Sequence, residues 1–328
     1  MRAVVIDRPG GLDRLKLRDI PEPTAGPGEV LIRTRYAGCN WSDIQKRRGV
    51  YPNPVSYPAV PGLEVSGRVA ALGAGTRGFR VGDRVAAILF PTGLGGFAEL
   101  VAVPALAAMH LPDGVRDDLG AAFPMVALTA YHLLHSATRL RRGETVLIHA
   151  IGGGVGLMAT QMAVAAGARV IGTASSAPKG RRARAYGASR VVDRGSEDFV
   201  AVANDLTGGR GVDLVIDSLG ADILERSFDC LRTYGRVINI GEAAGYPDFA
   251  IRPKLYERST SLAGFELNHA VPGSARWRRG VQFVLARLAD GRLKLPIEKR
   301  YPLAQVRAAQ RHLEQRTVSG KILLKIGR

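Results

Sequence analysis

Between Glu144 and Arg194 the chain reads strand, glycine turn, helix, strand, and few folds accommodate that order. The run Thr145 to Ala150 is short, apolar and β-branched, the composition of a strand covered on both faces of a parallel sheet. Ile151, Gly152, Gly153, Gly154, Val155 and Gly156 follow, and glycine lets the backbone turn sharply and approach a ligand where a Cβ would collide. Leu157, Gln161, Val164 and Ala165 then fall at helical spacings with no proline before Pro178, which predicts a helix to about Ala166. Ala168 to Thr173 is a second strand. Such a unit sets a helix N-terminus, with free N–H groups and the positive end of its dipole, against an anion. The stretch is built to hold a dinucleotide.

The glycine pattern departs from the usual Gly-x-Gly-x-x-Gly. With the last glycine set on Gly156, Ile151 stands at the first position, and Ala150, Gly153 and Gly156 remain at intervals of three. A tight loop without a ligand is the alternative for such a pattern, and the strand before it and helix after it argue for the ligand. Ala150, Gly153, Gly154, Val155 and Gly156 are the candidate pyrophosphate contacts. About twenty residues on, an NAD site carries an acid for the ribose 2′-hydroxyl, but here the second strand ends Thr173, Ala174, Ser175, Ser176. Lys179, Arg181, Arg182 and Arg184 follow, a set suited to the 2′-phosphate of NADP. One or two charge-assisted bonds of about 1.5–3 kcal/mol each would favour NADPH by roughly ten- to a thousandfold. Ser175, Ser176 and Lys179 are the candidates; the alternative for the three arginines is a solvated helix face.

The 328 residues suffice for two domains with separate cores. Cys39 and Cys230 are the two cysteines, too far apart and too few for a disulfide framework, and no Cys-x-x-Cys offers a structural zinc site. The chain opens on a strand-like run from Met1 to Asp7 and has no apolar stretch near 18 residues, which predicts a soluble, cytoplasmic protein without a membrane partner. The formal charge is +17, yet arginine supplies 38 of the 46 positive residues and they are scattered, which argues against a dedicated nucleic-acid binder.

The first 120 residues are punctuated by glycine and proline and carry β-like runs at Ala3–Ile6, Val30–Tyr36, Val65–Leu72, Arg84–Leu89 and Phe97–Val103. Leu119 to Leu134 is apolar, alanine-rich and helical in pattern. Past the second strand, Arg190–Val192, Ser196–Leu206, Val212–Asp217, Ile223–Leu231 and Arg236–Gly241 alternate strand and helix, predicting a doubly wound parallel sheet. Strand-like Ser261–Gly264, a helix near Ala275–Asp290 and a closing strand over Ser319–Lys325 complete the chain.

At this point the sequence resembles the medium-chain dehydrogenase/reductase superfamily, in its zinc-independent quinone oxidoreductase branch. The resemblance rests on Ala37–Asp43, Tyr51-Pro52, Pro61–Glu64, Leu128–Tyr131, His149–Gly156, Asp217–Gly220 and Ser319–Leu323, which span almost the whole chain in order. It implies an α/β protein with a GroES-like, mostly β catalytic domain (1–123 and 262–328) around a doubly wound parallel Rossmann domain (124–261). It also implies a cleft for the nicotinamide and a homodimer formed through the edge of the Rossmann sheet. Zinc alcohol dehydrogenases of the superfamily place a Cys and a Gly-His-Glu where this chain has Asn40 and Gly62-Leu63-Glu64, so two ligand positions hold residues that bind zinc poorly. No metal is expected, and plain alcohol oxidation is disfavoured without a Lewis acid.

A metal-free reductase needs an intrinsically electrophilic acceptor and hydrogen-bond donors where negative charge develops. Asn40 and Tyr51 are the candidate donors. The resemblance places Asn40, Asp43 and Thr129 near the nicotinamide or its substrate, sets Gln45 where a tyrosine is common, and sets Arg194 where a tyrosine contacts the 2′-phosphate. Ser218, Ile240, Gly241 and Lys321, within or beside its motifs, are assigned to the cofactor too. The alternatives are a helix cap for Asp43, a bond to its own helix backbone for Thr129, and packing for Tyr51. His132 and His135 share a helical face without a third ligand and read as packing residues. Loops at Trp41–Tyr57 and Glu242–Tyr256 are expected to shape the substrate pocket. The expectation is an NADPH-dependent reductase of a quinone or enone. Its rivals are an enoyl-thioester reductase and a non-catalytic NADPH-binding protein with a basic, RNA-contacting surface.

Overall fold

The computed structural model describes residues 1–327. By internal contacts the chain forms two units, Met1–Leu128 with the chain from Ala270 onward, and Thr129–His269. In the first, β1 (Arg2–Val5) pairs antiparallel with β2 (Lys16–Asp19). Then come β3 (Glu29–Cys39), helix α1 (Trp41–Arg48), β4 (Glu64–Leu72), β5 (Arg84–Ile88), β6 (Leu100–Pro104), β7 (Ala108–His110) and helix α2 (Asp117–Tyr131). The short strands follow from the glycine and proline punctuation, since each interruption removes a ladder donor or forces a turn.

The second unit alternates regularly: β8 (Thr145–Ile148), α3 (Gly154–Ala165), β9 (Arg169–Ala174), α4 (Ala177–Ala185), β10 (Arg190–Asp193) and α5 (Phe199–Leu206). It continues through β11 (Val212–Asp217), α6 (Ala221–Ser227), β12 (Leu231–Asn239), α7 (Ile251–Glu257) and β13 (Ser261–Gly264). These strands make a six-stranded, all-parallel sheet in the order β10-β9-β8-β11-β12-β13. All four residues of β8 and all six of β11 are buried, as a centre covered on both faces requires. Leu147, Ile171, Val192, Val215 and Val237 meet Phe199, Leu224 and Phe228 in its core. The strand order reverses beside β8, and in open parallel sheets the ligand crevice lies outside the carboxyl ends of the strands at that point.

The chain then returns to the first unit with α8 (Ala275–Ala289), β14 (Ile297–Pro302), α9 (Val306–Glu314) and β15 (Lys321–Lys325). A seven-stranded sheet runs β14-β15-β3-β4-β5-β7, with β6 pairing β3 as well. Ile322 and Leu324 of β15 join Val4, Ile32, Val65, Val85 and Phe97 in its core.

These contact-defined units divide at Leu128/Thr129 and His269/Ala270, beside expected domain boundaries at 123/124 and 261/262. β13 pairs with β12 in the parallel sheet, and the expected domain end at 328 lies outside the described residues. The segment expected as a loop from Trp41 begins with α1, and the one from Glu242 ends in α7.

Candidate cofactor and active site

The glycine turn lies directly after β8. Ala150 takes a left-handed conformation at φ 50°, its carbonyl accepts the Gly153 N–H at 2.9 Å, and the Ile151 N–H reaches Thr173 O at 3.0 Å. Gly153 is the N-cap of α3 and has no side chain to cap it, so the first-turn N–H groups have no side-chain cap and suit an anion. The turn is tight. A Cβ on Gly156 would lie 2.6 Å from Ile151 O, and one on Gly152 would lie 2.5 Å from the Cβ of Lys179. Gly152, absent from the candidates read in sequence, therefore lets Lys179 fold against the turn; only the three-dimensional neighbour reveals that role.

Around the carboxyl ends of β9 and β10 the structure gathers Ser175, Ser176, Lys179 and Arg194. The Arg194 N–H donates to Ala174 O at 3.1 Å, and Ser176 is the N-cap of α4 with no cap bond from its own side chain. Arg181 and Arg184 lie on the exposed face of α4. No carboxylate ends β9. Ser218, Ile240 and Gly241 follow β11 and β12, at the same end of the sheet. There Asp217 is buried and accepts the N–H groups of Leu219 (2.9 Å) and Gly220 (3.1 Å) and the Asn239 amide (2.8 Å). Asn239 also donates to Gly241 O at 3.1 Å, so one carboxylate shapes both loops. Thr129 is buried on α2.

In the first unit the reacting-group candidates meet at the junction of β3 and α1. Asp43 accepts the Asn40 N–H at 2.8 Å and the Gly62 N–H at 3.0 Å, the helix-cap alternative, and is fully buried. Burial pushes its carboxyl up to about 6, against the pull of the Asn40 N–H and the charges of Lys46 and Lys321. Lys46 is buried too; its ammonium donates to Gly93 O at 2.6 Å and lies 4.8 Å from the centre of the half-buried Tyr51 ring.

Lys321, a candidate cofactor contact, lies in the first unit. It is buried inside this unit, donating to Glu64 Oε1 at 2.6 Å, Asn40 Oδ1 at 2.7 Å and Cys39 O at 3.1 Å, which uses all three ammonium hydrogens. Glu64 also accepts the Asn40 amide at 2.9 Å and the Met125 N–H at 2.8 Å. Because lysine only donates, the Asn40 Oδ1 must face Lys321 and its Nδ2 must face Glu64. One Asn40 N–H is thereby committed, and the other makes only a long 3.4 Å contact to Gly38 O. Leu63 is buried beside Glu64, and among the described residues no three His, Cys, Asp or Glu side chains cluster as a metal site.

Comparison with known proteins shows the family. Residues 26–113 match the alcohol dehydrogenase GroES-like domain family, and residues 154–286 the zinc-binding dehydrogenase family. The chain is 35% identical to a quinone oxidoreductase of Pseudomonas aeruginosa over 96% of both chains. It is 32% identical to a 2-haloacrylate reductase of a Burkholderia species over 98% of both. A crystal structure of Escherichia coli quinone oxidoreductase complexed with NADPH superposes with a TM-score of 0.94 at 30% identity, covering 99% of this chain and 100% of that one. This chain belongs to the medium-chain dehydrogenase/reductase superfamily, in the quinone oxidoreductase branch. Arg194 and Gln45, where the resemblance leads one to expect tyrosines, are both partly exposed. No helix among the described residues is long and apolar enough to cross a membrane.

Proposed function

We propose that this quinone oxidoreductase relative is an NADPH-dependent reductase that delivers hydride to a quinone or an α,β-unsaturated carbonyl. The observation that carries the reading is the end of β9, where Ser175, Ser176, Lys179 and Arg194 stand and no carboxylate does. The residues fit the cofactor: the Gly152–Gly156 turn leaves backbone room and free N–H groups for a pyrophosphate, and the basic group suits a 2′-phosphate. Ser218, Ile240, Gly241 and Thr129 would flank the nicotinamide portion. When bound, NADPH supplies the hydride and the protein supplies position and electrostatics.

Asn40 is the donor for the acceptor oxygen, through the N–H that Glu64 does not use. Its amide is held from both ends, by Lys321 on the oxygen and Glu64 on the nitrogen, so it needs no reorganisation as negative charge develops. A donor so held is worth roughly 2.7–4 kcal/mol. Tyr51, with the Lys46 ammonium over its ring, is the second donor. Asp43 positions Asn40 by fixing its N–H. The likeness to a 2-haloacrylate reductase supports an activated C=C bond as a target alongside a quinone.

The test is NADPH and NADH oxidation against a benzoquinone, a cyclic enone, a 2-haloacrylate and an enoyl thioester. NADPH-selective turnover of quinone or enone is expected. Lys179→Ala with Arg194→Ala should remove most of a roughly ten- to thousandfold cofactor preference. Asn40→Ala should lower kcat about a hundredfold or more. Thioester preference would move the enzyme to acyl-chain reduction, and NADPH binding without turnover of any acceptor would end the reductase reading.

A further inference from the structure

The antiparallel sheet carries a charge pattern that hydride transfer does not use. Arg33 on β3 stands directly opposite Arg68 on β4, and Arg68 directly opposite Arg84 on β5. Like charges in such a row repel and destabilise the sheet unless something offsets them. β3 also bulges between Thr34 and Tyr36, which makes Arg35 the extra residue, and its guanidinium reaches Asp117 at 2.6 Å. Arg84 meets the same carboxylate at 2.9 and 2.7 Å, while Arg116, at 3.1 Å, and Arg300 share Asp118. The two carboxylates are therefore taken. Among the described residues neither Arg33 nor Arg68 has an ion pair, and Arg68 donates only to Gly82 O at 2.8 Å.

All but Arg33 and Arg300 of these charged groups line, with Tyr36, an open depression of about 360 Å³: Arg35, Arg68, Arg84, Arg116, Asp117 and Asp118. With Arg300, five guanidinium groups against two carboxylates leave three positive charges over. Each lining arginine keeps N–H donors beyond those its protein contacts consume, in the fork geometry that matches phosphate oxygens. We propose that this depression binds a small multivalent phosphate anion, a diphosphate or triphosphate group, through Arg68 and the spare donors of Arg35, Arg84 and Arg116. A nucleic-acid strand fits less well, because a strand needs an extended basic groove with stacking faces, and here two carboxylates sit among the cations.

Titration calorimetry of pyrophosphate into the full chain tests this, with saturating NADPH to occupy the glycine turn and sulfate at matched ionic strength as control. One pyrophosphate per chain is expected, bound at least about tenfold more weakly by Arg68→Gln, for loss of one charge-assisted contact. Unliganded Arg68→Gln should melt no lower than the parent, since the repelling row is broken, and pyrophosphate should raise the melting temperature of the parent only. The proposal is overturned if pyrophosphate binds no better than sulfate, or if Arg68→Gln keeps the parent affinity. It is equally overturned if Lys179→Ala rather than Arg68→Gln abolishes binding, or if a single-stranded oligonucleotide binds while pyrophosphate does not.

Discussion

Ala150 and Gly152 lie two residues apart in the cofactor turn and answer to different constraints. Ala150 sits at φ 50°, where an L-residue is strained by about 1–2 kcal/mol. Glycine there would relieve that strain but add about 0.5–1 kcal/mol of unfolded-chain entropy. Gly152 has no positive φ; what its missing Cβ spares is a 2.5 Å collision with the Lys179 Cβ and a 3.2 Å approach to the Lys179 Cα. Ala150→Gly is therefore expected to shift stability by no more than about 1 kcal/mol and to leave NADPH affinity intact. Gly152→Ala should weaken NADPH about tenfold or more by displacing Lys179 and the first turn of α4. Thermal melts with and without NADPH separate the two; equal loss of affinity in both variants would mean that the turn responds to backbone freedom rather than to the Lys179 contact.

At the scale of elements, His149 ties β8 to β9 and α6. Its Nδ1 lies 3.1 Å from the Thr173 Oγ1 and its Nε2 3.0 Å from the Ser227 Oγ. Ser227 donates its own hydroxyl hydrogen to Ile223 O at 2.6 Å, so it accepts from Nε2–H, and Nδ1 accepts from Thr173. Burial, aided by the Arg194 charge, pushes the imidazole down to about 3. The unfolded chain protonates His149 below about 6.5 and the folded chain does not until about 3, so this contribution falls with pH across that window, at about 1.4 kcal/mol per unit. Asp43, raised to about 6, holds its proton in the fold but not in the unfolded chain between about 4 and 6, and so adds stability as pH falls there. The two slopes oppose each other. The stability difference between the parent and His149→Asn should therefore shrink by roughly 1.4 kcal/mol per pH unit from pH 6 to 4, measured from urea midpoints. A pH-independent difference would mean that His149 is protonated in the fold.

The same elements show what the sequence makes legible. β11 is six buried residues in a row and β8 four, and such runs are read directly. In α1 only the helix-cap alternative at Asp43 marks the helix in the sequence, because its buried face is largely charged: Asp43, Lys46 and Arg47 are interior beside Ile44. Arg47, for instance, pairs with Glu314. The pairing of Lys321 with Glu64 is illegible for a related reason, since the two lie 257 residues apart and no periodicity links them. Charged residues in the interior carry no hydrophobic signal, so the glycine turn and the apolar strands of the parallel sheet are legible in the sequence where the buried charges around Asn40 are not.

For the molecule as a whole, β13 leaves the parallel sheet with an open edge. All four of its residues are exposed, Leu262 among them, and Tyr234 and Tyr256 are exposed at 73% and 72%. An unpaired edge with aromatic side chains beside it favours pairing with another strand, and a second copy offers the same edge by two-fold symmetry. Charge opposes this association, because each copy carries +17. Screening acts over about 8 Å at physiological salt, so only charges near the contact count, whereas strand pairing and tyrosine burial act at full strength. The edge should prevail, and more firmly as salt rises. Light scattering at physiological salt is expected to give twice the 35.0 kDa chain mass. Leu262→Asp, which sets a charge on β13 without touching the core, should return a monomer that still binds NADPH. A parent that scatters as a single chain, or a Leu262→Asp variant that stays dimeric, would show that this edge is not where two copies meet.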